Sequence, residues 1–233
     1  MTKEEVLDFL REHSSKTFQN IFDNHGAAGS SYGVKIEYLK QLQKKIKKDH
    51  HLSLQLFETG ISDAMYLAGL VADETKISKA NIQHWMETAP WHMISEYTVP
   101  WIAAESPYGW ELAVEWIKSD KENIASAGWA TLSNLVALVP DEKLDKDLLE
   151  NLLNDIPTSI HQSPNRVRYT MNGFVISVGG YIPDLTEKAK AIAKKVGKIK
   201  VDMGKTACKV PDAIPYIDKM IDRGAKKKKS LRC

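Results

Sequence analysis

Cysteine is scarce in this chain: Cys208 and Cys233 are the only two among 233 residues. They lack the spacing of a zinc site or of a C-x-x-C redox pair. A thiol at the last residue fits a reducing cytoplasm, and Cys233 stands at the wrong end for prenylation. Long apolar runs are missing too. None approaches the roughly 18 residues that a membrane span requires, although 43% of the chain is hydrophobic, enough for a substantial core. The opening Met1-Thr2-Lys3-Glu4-Glu5 is too polar for a signal peptide. A cytoplasmic protein with no membrane partner is expected. No H-E-x-x-H occurs, and the adjacent His50 and His51 diverge on a helix, so no metal is expected. Gly204-Lys205-Thr206 imitates the end of a phosphate loop, but Ile199 stands where the first glycine belongs, and Pro211 interrupts the helix that the motif requires. The glycines between Gly26 and Gly33 lack the strand and helix context of a dinucleotide fingerprint. No cofactor is expected.

What is present is helical periodicity. Thr2 and Glu5 have capping-box spacing. Val6, Phe9, Leu10, Phe18, Ile21 and Phe22 then recur at helical intervals, and 23–33 is a loop by composition. Ile36, Leu39, Leu42 and Ile46 form an apolar face, opposite a row of lysines that includes Lys44, Lys45 and Lys48. Further short helices are predicted at about 51–58, 62–73, 78–88, 91–104, 108–119, 121–138, 142–155, 164–179 and 184–196, separated mostly by prolines, Pro157 among them. Pro100 falls inside a helical pattern and is expected to kink or split it. Ser163-Pro164 is a strong helix start.

About a dozen short helices joined by short loops predict an all-α superhelix of the HEAT-like or armadillo-like kind, with degenerate repeats. An irregular helical bundle is the other architecture such a pattern permits. One segment breaks the rule. Residues 198–210 alternate lysine with Ile199 and Val201, turn at 202–205 and end at Val210, which reads as a small β-hairpin. The expected organisation is one domain over 1–225 that contains this hairpin, with a basic tail at 226–233.

The net charge of +2 conceals a segregation. Residues 61–160 hold 6 Lys/Arg against 16 Asp/Glu, whereas 188–233 hold 15 Lys/Arg against 4 Asp/Glu. Such separation fits a polyanion partner for the basic part, or a self-complementary surface. The hairpin would present Lys198, Lys200, Lys205 and Lys209, and a basic ribbon has the width to enter a nucleic-acid groove. The alternative is a charged edge that avoids aggregation. Arg166 and Arg168 sit in a first helical turn, where cations are disfavoured, so a phosphate contact is the functional reading and a solvated turn the plain one. All six tryptophans fall between Trp85 and Trp129. Most belong in a core, with one or two free to stack on bases. His92 and Glu96 are four apart on one helix face, which suits either an ordinary pair or an acid–base site between aromatics.

SYGVKIEYLKQLQKKIKK, ISDAMYLAGLVAD, TAPWHMISEYTVPW, SAGWATLSNLV and HQSPNRVRYTMNGF occur in that order. Together they resemble the DNA alkylation repair family of HEAT-like proteins, over roughly residues 5–196. The resemblance implies a curved solenoid that cradles duplex DNA, and in the family's alkylpurine glycosylases a pocket of tryptophan, aspartate, arginine and a second tryptophan. By position the aspartate falls on Glu96, the first tryptophan on His92 beside Trp91, and the second on Phe174. The arginine falls near Ala127 or Gly128, and none stands there or anywhere between Arg11 and Arg166. The SAGW segment at Ser126–Trp129, the basic 198–210 segment, Asp222-Arg223-Gly224 and the Arg232-Cys233 ending look like a divergent branch. That branch lacks the glycosylase signature and is associated with branched or unusual DNA.

The expected function is DNA binding through phosphates, with branched or damaged DNA as the preferred form. Lys44, Lys45, Lys48, Arg166 and Arg168 would form a concave track, and Lys198, Lys200, Lys205 and Lys209 a second contact. Trp91, Trp129 and Phe174 would line an aromatic pocket. The alternatives are an alkylpurine glycosylase that uses Glu96 and His92, and a protein-interaction solenoid. A monomer is expected. Sixteen carboxylates in the middle of the chain would oppose DNA if they lined the concave face.

Overall fold

The computed structural model describes residues 1–232 and is helical throughout. Among these residues thirteen α-helices succeed one another: α1 Lys3–Glu12, α2 Lys16–Asn24, α3 Ile36–Ile46, α4 His50–Phe57, α5 Ser62–Val71, α6 Lys79–Thr88, α7 Val99–Glu105, α8 Gly109–Trp116, α9 Glu122–Leu138, α10 Lys146–Ser159, α11 Asn165–Tyr181, α12 Thr186–Val196 and α13 Ala213–Asp222. The Thr2–Glu5 capping box forms as expected, satisfying two donors at the start of α1. α10 runs through Pro157 rather than ending there. α13 lies beyond the helices predicted from sequence, although Ile214, Ile217 and Ile221 carry its helical period.

Successive helices pack as pairs, α4 with α5, α8 with α9 and α12 with α13. Contacts between pairs run mostly through one row, α5 to the 94–105 helix to α9 to α11. That row is therefore the inner row of the stack, joining one pair to the next as in a HEAT-like solenoid. Small residues let it close up. A Cβ on Gly69 would lie 2.4 Å from the Thr98 methyl, and within the α8–α9 pair one on Gly128 would lie 2.6 Å from the Ile117 amide. The buried apolar side chains form two clusters, one centred on α4–α7 and one on α9–α13. Trp85 stacks on Phe57 at 4.2 Å and 2°. Such pairs add about 0.5–1.5 kcal/mol beyond area burial.

The expected β-hairpin at 198–210 is absent, and among the described residues the only bridge is an isolated one between Ser30 and Ile61. The hairpin's hydrogen bonds go elsewhere. The Asn165 amide donates to the Asp202 carbonyl at 2.9 Å and accepts from the Asp202 amide at 2.7 Å, as a strand edge would. The Lys205 amide donates to the Asn24 carbonyl at 3.0 Å. Gly204 makes that approach possible: its φ is +69, and a Cβ there would lie 2.7 Å from the same carbonyl. The segment is a loop that ties α12 to the N-terminus of α11 and the C-terminus of α2.

The basic tail returns to the body. Arg232 is only 5% exposed and spreads its guanidinium over the C-terminal end of α5. Its Nη1 donates to the Gly69 and Ala72 carbonyls, its Nη2 to Glu74 and its Nε to Glu105, the last two at 2.6 Å. Lys227 donates to the Val136 carbonyl at the end of α9 and pairs with Asp141. Cations at helix C-termini satisfy carbonyls that the helix itself leaves open. The tail thus straps together the C-terminal ends of the inner row.

Candidate nucleic-acid interface

The N-terminal ends of the same row carry the chemistry. Pro100 has no amide to donate, so a regular helix through it would leave a carbonyl one turn back unpaired. The chain resolves this with a π-helical segment at Ile94–Thr98, in which the Val99 amide reaches back to Ile94. Such a bulge rotates the side chains before it. Glu96 is thereby aimed at α11, where Arg166 grips it in two-pronged fashion, Nε to Oε1 at 2.7 Å and Nη2 to Oε2 at 2.5 Å. The Glu96 side chain is 2% exposed and that of Arg166 17%. Burial pushes the Glu96 carboxyl up, and Arg166 offsets part of that push. The same guanidinium lies 4.5 Å from the Tyr169 ring centre, and the Arg166 amide donates to Glu122 at 2.7 Å.

In front of the pair lies a cavity of about 510 Å³ lined by Phe22, His25, Trp91, His92, Tyr97 and Tyr169, with Arg166 at its base and the 202–208 loop over it. Trp91 is held by an Nε1 hydrogen bond to Ser62 Oγ at 3.1 Å and packs on Phe22 at 5.4 Å. Burial, the Arg166 charge and His25 together lower the His92 pKa to about 4, so its ring is neutral at pH 7. Burial also pushes the Tyr97 phenol upward. The cavity therefore offers aromatic faces, a neutral imidazole and one guanidinium. Glu96 is not among its walls, because Arg166 stands in front of it.

The structure separates residues that the sequence grouped. Trp129 and Phe174 pack on each other at 5.2 Å within the second core cluster and do not line this cavity with Trp91. Lys48 pairs with Glu74, the carboxylate that Arg232 also holds, so Lys44, Lys45 and Lys48 lie near the strapped edge. Arg166 and Arg168 lie at the opposite edge, with Lys198, Lys200 and Lys209 beside Arg168 around a neighbouring cavity. Lys48 is thus tied to the C-terminal end of α5, and Arg168 stands in the first turns of α11. Many carboxylates of the acidic middle are consumed internally. Asp63 accepts from the Tyr32 and Val34 amides, Glu105 holds Arg232, and Glu111 and Glu115 share Lys79. The letters Gly29-Ser30-Ser31-Tyr32-Gly33 match a serine-hydrolase elbow, but the described residues provide no strand before Ser31 and no histidine bonded to it.

The stacked helix pairs and this edge define a HEAT-like solenoid built around an aromatic, arginine-floored cavity. The model of the DNA alkylation repair enzyme family matches residues 6–217, and the chain belongs to that family. It is 38% identical over 211 residues to the uncharacterized protein Lmo0209 of Listeria monocytogenes, covering 87% of this chain and 90% of that one. The uncharacterized protein Lin0241 of Listeria innocua is 37% identical over the same length. A solved structure described as belonging to "a new family of proteins related to the HEAT-like repeat DNA glycosylases with affinity for branched DNA structures" superposes with a TM-score of 0.91 at 32% identity, over 100% of both chains.

Proposed function

We propose that this protein binds DNA, with branched DNA as the preferred form, through phosphate contacts made by basic residues at both edges of the inner row. The observation that carries this reading is the full-length likeness, at 32% identity, to the protein described as having affinity for branched DNA structures. Lys44 and Lys45 would act at the strapped edge, and Arg168, Lys198, Lys200, Lys205 and Lys209 at the loop edge. A branch point presents two helices at once, which suits two basic edges better than one track does.

The glycosylase reading is disfavoured by one contact. A carboxylate that assists base excision must face the sugar, and both Glu96 oxygens face Arg166 instead. The test is fluorescence anisotropy with a four-way junction and a duplex of equal length, over a range of salt. Junction affinity should exceed duplex affinity and fall steeply with salt. Replacing Lys198, Lys200, Lys205 and Lys209 by glutamine should lower the log–log salt slope by up to about 4. Equal affinities at low and high salt would overturn the reading. Release of methylated base above background, lost in Glu96→Gln, would restore the glycosylase.

A further inference from the structure

The 197–214 segment roofs a second, larger cavity. Its volume is about 1060 Å³, and α10, α11 and α12 form the floor. Asn165, Asp202, Met203 and Cys208 stand between it and the aromatic cavity, belonging to the walls of both. Its lining is rich in cations. Arg168, Lys194, Lys198, Lys200 and Lys209 supply five cations against the two carboxylates of Asp202 and Asp212. One Asp202 oxygen is already used, accepting from the Gly204 amide at 2.9 Å. The remaining wall is aliphatic, with Ile156, Ile160, Val175 and Ile199 among it.

Arg168 is the unexplained group. The other half-buried or buried arginines, Arg166 and Arg232, are held by carboxylates. Among the described residues Arg168 has none within ion-pairing distance, and its side chain makes one hydrogen bond, a long 3.4 Å contact from Nη2 to the Asn165 side chain. Its Nε is buried with no partner at all. A buried guanidinium nitrogen without a partner is costly, and the planar fork of the group matches phosphate or carboxylate in two-pronged fashion. Five cations, aliphatic side chains in the same lining and a volume at the upper end of small-ligand sites suit a ligand with both an anionic and an apolar part.

We propose that this cavity binds a nucleoside monophosphate group, with the phosphate on Arg168 and the nucleoside against the aliphatic wall. The group can arrive as a free nucleotide or as the phosphorylated end of a DNA strand. The inference does not require the DNA-binding reading, because a free nucleotide has the same chemistry.

The test uses the full-length protein and isothermal titration calorimetry at low salt, with deoxyadenosine 5′-monophosphate, deoxyadenosine and inorganic phosphate as probes. The monophosphate should bind at least tenfold more tightly than deoxyadenosine. Arg168→Met should weaken it at least tenfold, and Arg168→Lys should do so by less. If Arg168→Met does not fold, Arg168→Lys and Lys209→Gln carry the comparison. A second arm measures single-stranded-ended DNA with a 5′-phosphate against a 5′-hydroxyl. A preference for the phosphate that Arg168→Met abolishes identifies the strand end as the source; its absence, with mononucleotide binding intact, identifies the free nucleotide. Absence of any phosphate-dependent binding in both arms overturns the proposal and leaves Arg168 a structural residue. Unphosphorylated junction DNA, measured alongside, separates the two ideas: junction binding without any phosphate effect sinks this proposal alone, and mononucleotide binding without junction binding sinks only the DNA reading.

Discussion

Glu96 and Arg166, 70 residues apart, meet as a two-pronged ion pair with N–O separations of 2.7 and 2.5 Å at the floor of the aromatic cavity. The pair joins the π-helical segment before α7 to the first turn of α11. It brings a guanidinium to a carboxylate from a helix where the resemblance to glycosylases did not place one. It also removes that carboxylate from the cavity.

Breaking the pair from one side strands a buried charge. Arg166→Met should destabilise the protein by about 3–5 kcal/mol. Glu96→Gln combined with Arg166→Met should recover part of that loss, since no ion is then left unpaired. Urea denaturation of the two single variants and the double variant measures the coupling. A single-variant loss under about 1 kcal/mol would show that solvent reaches the pair.

Neutral His92 makes stability depend on pH. Its folded pKa of about 4 lies below the ordinary imidazole value of 6.5. Between those values the unfolded chain binds a proton that the folded chain refuses, so stability rises with pH. The contribution is complete above about 6.5 and is lost progressively as pH falls toward 4. It amounts to at most about 3 kcal/mol. His92→Gln should flatten the melting temperature against pH across that window, and an unchanged slope would rule out His92 as its source.

The C-terminal strap should be worth more than its length suggests. Arg232→Met removes two helix-end carbonyl contacts and leaves Glu105, among the buried groups it holds, without its cation. A loss of about 3 kcal/mol is expected. Deleting residues 226–233 should lower the melting temperature similarly, whereas Lys229→Gln should leave it within the error of a thermal melt.

Lys47 closes α3 with φ 63 and ψ −120, and among the described residues no other non-glycine has positive φ. A side chain is strained there and glycine is not. Lys47→Gly should raise stability by about 1 kcal/mol, less the entropy glycine adds to the unfolded chain. A drop in stability would mean that the Lys47 side chain makes a compensating contact.

Local pattern made the helices legible. Helical period and capping depend on neighbours within a few residues, so the helices from α1 to α12 could be read in advance, and the effect of Pro100 could be read as a break in the regular helix. The 198–210 segment misled for the same reason. Its alternation is a local signal, but a strand needs a partner, and the side chain of Asn165 together with the Asn24 carbonyl took the backbone groups that a partner would have used. Which of the basic residues far apart in sequence lie near one another was not legible, because no local period records it. Lys48 pairs with Glu74 just beyond the C-terminal end of α5, and Arg168 lines a cavity beside the N-terminal end of α11.

The order of apolar and polar residues was enough to determine a helical solenoid and its short repeats, because each helix buries a stripe that its own sequence writes; the family came from the resemblance of five quoted segments. Only the tertiary structure decided which charges meet. Arg166 found Glu96, Arg232 found the end of α5, and Arg168 was left facing a cavity without an anion. Ion pairs across 70 or more residues depend on how the pairs stack and where the loops return, and no local period records that geometry.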